Sequence, residues 1–344
     1  MEKVSACIKD DQGRAALSTL ELPEPGPGQA LIRTELTTIC GSDIHILEDI
    51  PEVPAGTPMG HEAVGVVEAV GEGVERFGKG DRVVACCVTS CGSCERCSGG
   101  EPQLCQTFAA PFNLLFGAQA EAFLVAGADH SMAALPKGVD DRQALFASDI
   151  MSTGFGALER AHLAAGQSVA VFAQGPVGLC ATAAAAFYRA EPIVAVESIP
   201  ERVEMARRLG ATHVLSPKNA VEEIMELSKG QGVDVAVEAL GKQETFENCC
   251  RVTRLGGTIS SVGVYGGIPS LSLPTDGTFI HRSLVTTLCP GGSSRLEHLL
   301  DLVESGRVDL TPLITHECRL GEVVAAYDMF RNRREGAIKI ALRP

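Results

Sequence analysis

Four cysteines lie close together in a short segment rich in glycine and serine. They follow the spacing C-x₂-C-x₂-C-x₇-C and are Cys91, Cys94, Cys97 and Cys105. Four thiolates on such a loop can close a tetrahedron around Zn²⁺ with no open position, which is typical of a structural zinc site. Iron–sulfur ligation uses a similar run of cysteines and is the alternative interpretation. We call the segment 91–105 the cysteine lobe; Cys86 and Cys87 fall outside its spacing and are not expected to be its ligands.

A second group of polar side chains is spread over a longer stretch. It comprises Cys40, Ser42, Asp43, His45, His61 and Glu62. Each has an ordinary interpretation, because a single Cys or His is more often structural, and Ser42 and Asp43 can cap a helix that begins at Ile44. Asp149 can likewise cap the segment that follows it. Taken one by one, these residues do not establish a catalytic site.

A glycine-rich turn follows a short apolar run. The run from Val169 to Phe172 is continuous, as expected for a strand that is buried on both faces. The turn is a G-x-G-x-x-G fingerprint with Ala at the first position. Its residues are Ala173, Gln174, Gly175, Pro176, Val177 and Gly178. The middle glycine lets the backbone approach a pyrophosphate, and the helix N-terminus offers free N–H groups, so the turn predicts a dinucleotide site.

A carboxylate marks the end of the next predicted strand. Glu197 stands near the expected distance of about 20 residues from the glycine turn. It can accept hydrogen bonds from both ribose hydroxyls and repels a 2′-phosphate, which favours NAD. Ser198 and Arg202 follow closely, and Arg202 can still bind a phosphate, so NADP remains the alternative.

Two hydrophobic patterns must position these residues. The first third of the chain has short apolar strands separated by glycine turns, including an alternating stretch from Ala30 to Thr37, which predicts a barrel-like β domain. From Gln167 onward, strand, turn and helix alternate repeatedly, which is typical of a doubly wound parallel sheet. The fold class is therefore α/β, with a change of character near Asp149.

Composition narrows the functional classes. The chain has 344 residues and a net charge of -14, which argues against a nucleic-acid-binding protein with its clustered Lys and Arg. No apolar run reaches roughly 18 residues, and the start lacks the features of a signal peptide. We therefore expect a soluble, cytoplasmic protein with no membrane partner. The odd total of 13 cysteines excludes a fully paired disulfide scaffold.

Several motifs together resemble the zinc-dependent medium-chain alcohol dehydrogenases. They are CGSDIHI from Cys40, GHEAVGVVEAVGEGVERFGKGDRVV from Gly60, the cysteine lobe and QGPVGL from Gln174. The similarity covers essentially the whole chain in matching order. Within the family, SDIMSTGF from Ser148 and the segment that starts with LCPGG at Leu288 are most similar to the bacterial secondary-alcohol dehydrogenases.

The resemblance implies a domain organisation. A GroES-like, β-rich catalytic domain is expected over residues 1–150, and a Rossmann domain that binds NAD(P) over residues 151–288. Residues 289–344 would return to the catalytic domain. The resemblance also implies two zinc ions per chain and a homo-oligomer, either a tetramer or a dimer.

The resemblance assigns ligand roles position by position. Cys40, His61 and Asp149 match the ligands of the catalytic zinc, and Glu62 matches the carboxylate that borders it. Asp43 matches the carboxylate that orients the ligand histidine. One open coordination position would then accept the alcohol oxygen.

Further positions match substrate and cofactor contacts. Ser42 matches the hydroxyl that touches the substrate oxygen, and His45 matches a later member of the proton relay. Thr153 falls where the chain meets the nicotinamide. The chain has no Trp for the substrate pocket, and the apolar residues expected there instead are Phe108, Phe112, Leu114 and Leu115.

Together these observations predict hydride transfer between an alcohol and NAD(P), giving a ketone or aldehyde, and the resemblance favours a secondary alcohol. A polyol or amino-alcohol dehydrogenase would share every ligand, whereas a zinc-free quinone reductase would lack Cys40 and His61. A non-catalytic protein that binds zinc and a nucleotide is an alternative of another class. Two departures from the secondary-alcohol branch stand out, because that branch lacks the cysteine lobe and carries a small residue in place of Glu197.

Overall fold

The computed structural model describes residues 2–107 and 114–344, so Phe108 and Phe112 lie outside the described residues. The chain divides into two compact units. Unit 1 comprises Met1–Ser152 and Cys289–Pro344, and unit 2 comprises Thr153–Leu288. Unit 1 is therefore built from both ends of the chain.

Strands and helices are numbered in chain order. The strands are β1 (Lys3–Lys9), β2 (Ala15–Glu21), β3 (Ala30–Thr38), β4 (Ala63–Val70), β5 (Arg82–Ala85), β6 (Ala122–Val125), β7 (Met132–Ala134), β8 (Val169–Phe172), β9 (Ile193–Val196), β10 (His213–Leu215), β11 (Val233–Glu238), β12 (Thr253–Ser261), β13 (Ser283–Thr286), β14 (Ile314–Arg319) and β15 (Lys339–Arg343). The helices are α1 (Gly41–Glu48), α2 (Glu95–Ser98), α3 (Ala128–Ser131), α4 (Asp141–Ala144), α5 (Ile150–Arg160), α6 (Pro176–Phe187), α7 (Pro200–Arg208), α8 (Ala220–Leu227), α9 (Gln243–Val252), α10 (Ser293–Glu304) and α11 (Val323–Arg331).

Unit 1 is built around an antiparallel sheet of seven strands in the order β14-β15-β3-β4-β5-β7, with β6 paired to β3. Strands β1 and β2 form a separate antiparallel pair, and β14–β15 is the parallel exception. The alternation predicted for β3 is present only in its middle, where Ile32 and Leu36 are buried and Glu35 is exposed. Leu31 and Thr37 are buried as well, so both faces of the strand are covered towards its ends. Ile32 packs with Val67 and Phe123 in one hydrophobic cluster of this unit.

Unit 2 contains a parallel sheet of six strands in the order β10-β9-β8-β11-β12-β13. Its first strand along the chain, β8, lies in the middle, and the strand order reverses beside it, which is the arrangement of a dinucleotide-binding fold. Strands β8 and β9 are buried along their whole length. Their continuous apolar sequences follow from having both faces covered.

The predicted fold class is confirmed: a β-rich unit accompanies a doubly wound parallel-sheet unit. Among the described residues, no helix combines the length and the apolar character that crossing a bilayer requires.

Candidate active site and metal centres

One buried group of ligand-type side chains lies at an end of the β3–β4 pair. We call it the buried centre, and it comprises Cys40, His61, Glu62 and Asp149. Thr37 of β3 is paired with Ala63 of β4, so the residues just after β3 and just before β4 meet at this end. Cys40 is the N-cap of α1, and His61 lies two residues before the start of β4. Asp149 comes from the turn that precedes α5.

The ligand atoms of the buried centre converge closely. The Oδ2 atom of Asp149 lies 3.6 Å from the Sγ of Cys40 and 3.4 Å from the Nε2 of His61. One ligand atom from each of the four residues lies within 4.8 Å of the others. The structure thus brings together the three ligands expected from the sequence, although Cys40 and Asp149 are 109 positions apart.

The donor set fits a cation. Both ring nitrogens of His61 are buried without a hydrogen bond in the described chain, although each faces a carboxylate. Burial by itself would lower the pKa of His61, but the charge of Asp43 and the contacts with Asp149 and Cys40 raise the pKa well above its ordinary value. The negative charge around His61 that favours its protonated form also favours a metal cation at its Nε2.

Glu62 forms a buried ion pair with Lys339. Its Oε2 lies 2.5 Å from the Nζ of Lys339, and both side chains are fully enclosed. Burial raises the pKa of Glu62 to about 7, although the Lys339 charge opposes this rise. The other carboxylate oxygen, Oε1, is buried without a hydrogen bond in the described part of the chain. Glu62 is therefore held beside Cys40, His61 and Asp149, with one oxygen uncommitted.

A hydrogen-bonded chain supports His61 from behind. The Oδ1 of Asp43 lies 3.2 Å from the Nδ1 of His61, which directs the Nε2 towards Cys40 and Asp149. The Oδ2 of Asp43 accepts from the Cys40 N–H at 2.9 Å and from the Gln119 amide at 3.0 Å. The hydroxyl of Tyr327 donates to the Gln119 Oε1 at 2.8 Å. Asp43 therefore fixes the orientation of the His61 ring and also closes the N-terminus of α1.

The glycine before His61 is required by this packing. Gly60 has a φ of +92°, and a Cβ at this position would lie 2.5 Å from the Cγ of Gln119. Both the backbone conformation and the lack of space exclude a side chain here.

Ser42 and His45 lie on α1. The Oγ of Ser42 is 3.9 Å from the Sγ of Cys40, so the hydroxyl borders the buried centre. His45 is partly exposed, and its Nδ1 lies 2.6 Å from the Oδ2 of Asp49. The helix starts at Gly41, not at Ile44, so Ser42 is not an N-cap residue.

The cysteine lobe brings its four thiols together. Their sulfurs lie within 4.8 Å of one another, with Cys94 to Cys97 at 3.5 Å and Cys94 to Cys105 at 4.0 Å. A tetrahedral zinc ion with Zn–S bonds of about 2.3 Å needs sulfurs about 3.8 Å apart. Burial opposes ionisation of Cys91, but hydrogen bonds from Thr107 and the backbone of Ser93 and Cys94 lower its pKa to about 5. The lobe is thus suited to a tetrahedral cation.

Cys86 and Cys87 do not belong to the lobe. Among the described residues, Cys87 groups instead with Cys289 and Asp149. Leu115, expected in the substrate pocket, packs in a hydrophobic cluster of unit 1, and Leu114 packs against a second such cluster.

In unit 2, the glycine turn joins β8 to α6. Ala173, at the first fingerprint position, has a φ of +71°, a conformation that usually calls for glycine and costs a side chain about 1–3 kcal/mol. A Cβ at Gly178 would lie 2.0 Å from the Ala173 oxygen, so close helix–strand packing requires this glycine. Of the residues that the structure describes, a Cβ at Gly175 would meet only the Arg202 guanidinium, at 3.9 Å. Pro176 and Val177 form the first turn of α6.

Glu197 is already bound by backbone donors. Its Oε2 accepts from the Gln174 N–H at 3.0 Å, and its Oε1 accepts from Ser198 and Ile199 at 2.7 and 3.0 Å. Arg202 lies 3.9 Å from the same carboxylate. Glu197 therefore closes the glycine turn in addition to any contact with a ribose. Thr153 is the first residue of unit 2 and is buried.

Three supporting residues were not predicted from the sequence: Gln119, Tyr327 and Lys339. Lys339 carries a detectable signal, because it is a lone charge within the apolar stretch Ala337 to Leu342. Such a lysine must find a buried anion, and Glu62 is that partner. Gln119 and Tyr327 carry no comparable signal.

Comparisons with known proteins agree with this geometry. Residues 26–137 match the family described as alcohol dehydrogenase GroES-like domain, and residues 176–305 match the family described as zinc-binding dehydrogenase. The chain is 42% identical to an alcohol dehydrogenase of Cupriavidus necator over 99% of both proteins. It is 35% identical to the NADP-dependent isopropanol dehydrogenase of Thermoanaerobacter brockii, over 95% of this chain and 96% of that protein.

A solved structure is similarly close. The alcohol dehydrogenase from Thermus sp. ATN1 superimposes with a TM-score of 0.89 at 34% identity, over 98% of this chain and 99% of that one. The family expected from the sequence motifs is confirmed. The chain therefore belongs to the zinc-dependent medium-chain alcohol dehydrogenases.

Proposed function

We propose that this protein oxidises a secondary alcohol to a ketone, and reduces the ketone in the reverse direction, with NAD(P) as hydride carrier. The observation that carries the proposal is the convergence of a thiol, an imidazole and a carboxylate in the buried centre of a chain from this family. Relatives named NADP-dependent isopropanol dehydrogenase, from Thermoanaerobacter brockii and Clostridium beijerinckii, support a secondary alcohol as the substrate class.

Cys40, His61 and Asp149 would hold the zinc ion, with Glu62 beside them. When bound, zinc supplies Lewis acidity that stabilises negative charge developing on the alcohol oxygen. Three protein ligands leave one position open for substrate. Asp43 keeps the His61 ring oriented during turnover, and Lys339 neutralises the Glu62 carboxylate.

Ser42 and His45 would move the proton that leaves the alcohol. The Ser42 Oγ borders the buried centre, so it can accept the hydroxyl proton and release its own outward. His45 lies three positions further along α1 and therefore on the same helix face. An imidazole there suits a relay to solvent, because one ring nitrogen can accept a proton while the other donates one. The hydride leaves the carbon that bears the hydroxyl group and passes to NAD(P)⁺. The two electrons lost when the alcohol becomes a ketone therefore reduce the cofactor.

The glycine turn of unit 2 would bind the pyrophosphate of the cofactor. The pyrophosphate would lie against the N-terminus of α6, which offers free N–H groups. The residues that line this part of the turn are Gly175, Pro176, Val177 and Gly178. Thr153 would contact the nicotinamide side, as the resemblance implies.

We favour NAD over NADP because Glu197 places a negative charge where a 2′-phosphate would bind. Ser198 and Arg202 would adjoin the adenosine ribose. If Glu197 excludes the phosphate, Glu197→Gln should reduce the preference for NAD⁺, measured as the ratio of kcat/KM values, by about tenfold or more. Glu201→Gln, an exposed neighbour on α7, is the matched control and should leave the ratio unchanged. A wild-type preference for NADP⁺ would refute this assignment without affecting the proposed reaction.

The cysteine lobe would hold a second, structural zinc ion through Cys91, Cys94, Cys97 and Cys105. Four thiolates leave no position for substrate, so this ion stabilises the loop and takes no part in turnover. Elemental analysis should give about two zinc ions per chain. Iron in the lobe would instead support the iron–sulfur alternative.

A kinetic panel tests the proposed reaction. Zinc-replete protein is assayed with primary alcohols, secondary alcohols, polyols and amino alcohols, each with NAD⁺ and NADP⁺, and NAD(P)H formation is followed by absorbance. We expect the highest kcat/KM for a secondary alcohol. Preference for a polyol or an amino alcohol would favour the alternative dehydrogenase, and no turnover with any alcohol would favour a non-catalytic binder.

We further propose that the protein is a homo-oligomer, a dimer or tetramer. Within the described residues, β13 pairs only with β12 and so offers a free edge. Apolar side chains near it are exposed: Leu255, Ile280, Leu284 and Leu288. An exposed edge strand with apolar residues readily pairs with a second copy. Leu284→Lys should lower the mass found by sedimentation equilibrium; a monomeric wild type would refute this proposal.

A reducing, cytoplasmic environment is consistent with the thiols. All thirteen cysteines lie among the described residues, and none is in a disulfide. The metal ligands among them must stay reduced to bind zinc. Imaging of a tagged chain in the source cell would test the cytoplasmic location.

A further inference from the structure

Three cysteines that the proposed reaction does not use meet in unit 1. We call them the thiol cluster: Cys86, Cys87 and Cys289. Cys86 and Cys87 directly follow β5, and Cys289 begins the C-terminal part of the unit. Cys86 is 1% exposed and interacts with both other thiols. Cys87 and Cys289 are only 2% and 4% exposed.

The thiol cluster lies directly against Asp149. The Sγ of Cys289 is 3.7 Å from the backbone oxygen of Asp149. The sulfurs of Cys87 and Cys289 and a carboxylate oxygen of Asp149 all lie within 4.8 Å of one another. A tetrahedral cation with Zn–S bonds of about 2.3 Å and a Zn–O bond of about 2.1 Å needs ligand atoms about 3.6–3.8 Å apart. The three atoms would therefore have to approach one another by about 1 Å at most to bind one cation.

The geometry points to a further metal site, in which Cys87, Cys289 and Asp149 bind one thiophilic divalent cation, such as Zn²⁺, in addition to the ion of the buried centre. Two thiolates and a carboxylate select a soft or borderline cation over Mg²⁺ or Ca²⁺. Each thiol that binds loses its proton, so two protons are released to solvent for each cation. The two new thiolate charges balance the dication, so loading leaves the net charge of this buried region unchanged.

Asp149 belongs to both sites. Its Oδ2 faces Cys40 and His61 of the buried centre. A carboxylate has two oxygens and can bridge two cations, which lie about 3.5–4 Å apart in two-metal sites. Occupancy of the further site is thus coupled to the buried centre through one shared side chain.

Another pair of neighbouring buried cysteines does not have this arrangement. Cys249 and Cys250 are adjacent on α9 and fully buried, as Cys86 and Cys87 are after β5. They belong to no group of three converging ligands among the described residues. They pack in a hydrophobic cluster with Phe246 and Ile259, so core filling accounts for them. They provide a matched control for the thiol cluster.

Equilibrium dialysis against Zn²⁺ tests the inference. Full-length protein that already holds its tightly bound zinc is dialysed against rising Zn²⁺, and the bound metal per chain is measured. We expect wild type to take up one further Zn²⁺ and to release two protons as it does so. The variant C87S/C289S should lose this further ion and its proton release, and C249S/C250S should retain both.

Two results would overturn the inference: no further uptake by wild type, or undiminished uptake by C87S/C289S. If the double variant fails to fold, as judged by circular dichroism, the single variants Cys87→Ser and Cys289→Ser decide, and each should weaken the further ion at least tenfold. The measurement needs no turnover, so its outcome is independent of whether the proposed alcohol oxidation is correct.

Discussion

The cysteine lobe and the buried centre obtain their ligands in opposite ways. The lobe draws four thiols from one short loop, and Cys91, Cys94 and Cys97 are only half-buried. The buried centre draws a thiol, an imidazole and a carboxylate from three separate segments, and its supporting Lys339 is 277 positions from Glu62. A site of the first kind stabilises its own loop, whereas a site of the second kind depends on the sheet that positions it.

Loss of a buried ligand should have the largest effect. Asp149→Asn keeps the shape of the side chain but removes its charge, so we expect kcat/KM to fall roughly 1,000-fold, with the fold and the lobe zinc retained. Steady-state kinetics and circular dichroism are the measurements. Asp11→Asn, an exposed position, is the control. Turnover near that of wild type would show that Asp149 is not a zinc ligand, and the proposed difference between the buried centre and the lobe would then not hold.

Loss of a lobe ligand should act on stability instead. Cys97→Ser should remove one zinc ion per chain and lower Tm by about 5 °C or more. A loss of about 1 kcal/mol in the free energy of unfolding lowers Tm by about 2–4 °C for units of this size, so the expected shift corresponds to a loss of more than about 1 kcal/mol. We expect kcat below the unfolding temperature to change by less than about twofold, since a closed site takes no part in turnover. Ser98→Ala in the same loop is the control. A loss of kcat comparable to that of Asp149→Asn would show that the lobe also serves catalysis.

Removing the charge behind His61 should give a smaller effect. Asp43→Asn preserves the side-chain shape but weakens the hold on the His61 Nδ1, so the affinity of the buried centre for zinc should fall about 10- to 100-fold. Competition with a chelator measures this affinity, and the lobe zinc serves as the internal reference. Equal weakening of both ions would indicate general unfolding and contradict a local role for Asp43.

The smallest effect is expected at the far end of the same chain of hydrogen bonds. Tyr327→Phe leaves the buried Gln119 Oε1 without its donor, at a cost of about 1–3 kcal/mol in stability. Because Gln119 still donates to Asp43, zinc affinity should fall less than in Asp43→Asn. Thermal unfolding and the same chelator assay test this. A larger loss of zinc affinity than for Asp43→Asn would show that these hydrogen bonds do not act on His61 through Asp43.

Unit 2 was largely predictable because its signals are local. Continuous apolar strands, amphipathic helices and the glycine turn each occupy a few neighbouring residues, and a parallel sheet follows from their alternation. Ala173 is the instructive exception. The sequence has no glycine at the first fingerprint position, yet Ala173 adopts the left-handed conformation there, with its carbonyl oxygen where a Cβ at Gly178 would lie.

The amino-acid sequence by itself predicted the cysteine lobe, the glycine turn, the α/β fold class and, through its motifs, the family. The tertiary structure alone decided that Lys339, Gln119 and Tyr327 support the buried centre, and that Cys87 and Cys289 meet at Asp149. The physical reason is the range of the interactions. A loop or a strand is specified by neighbours along the chain, whereas a buried charge or thiol is matched only to what the folded sheet brings beside it.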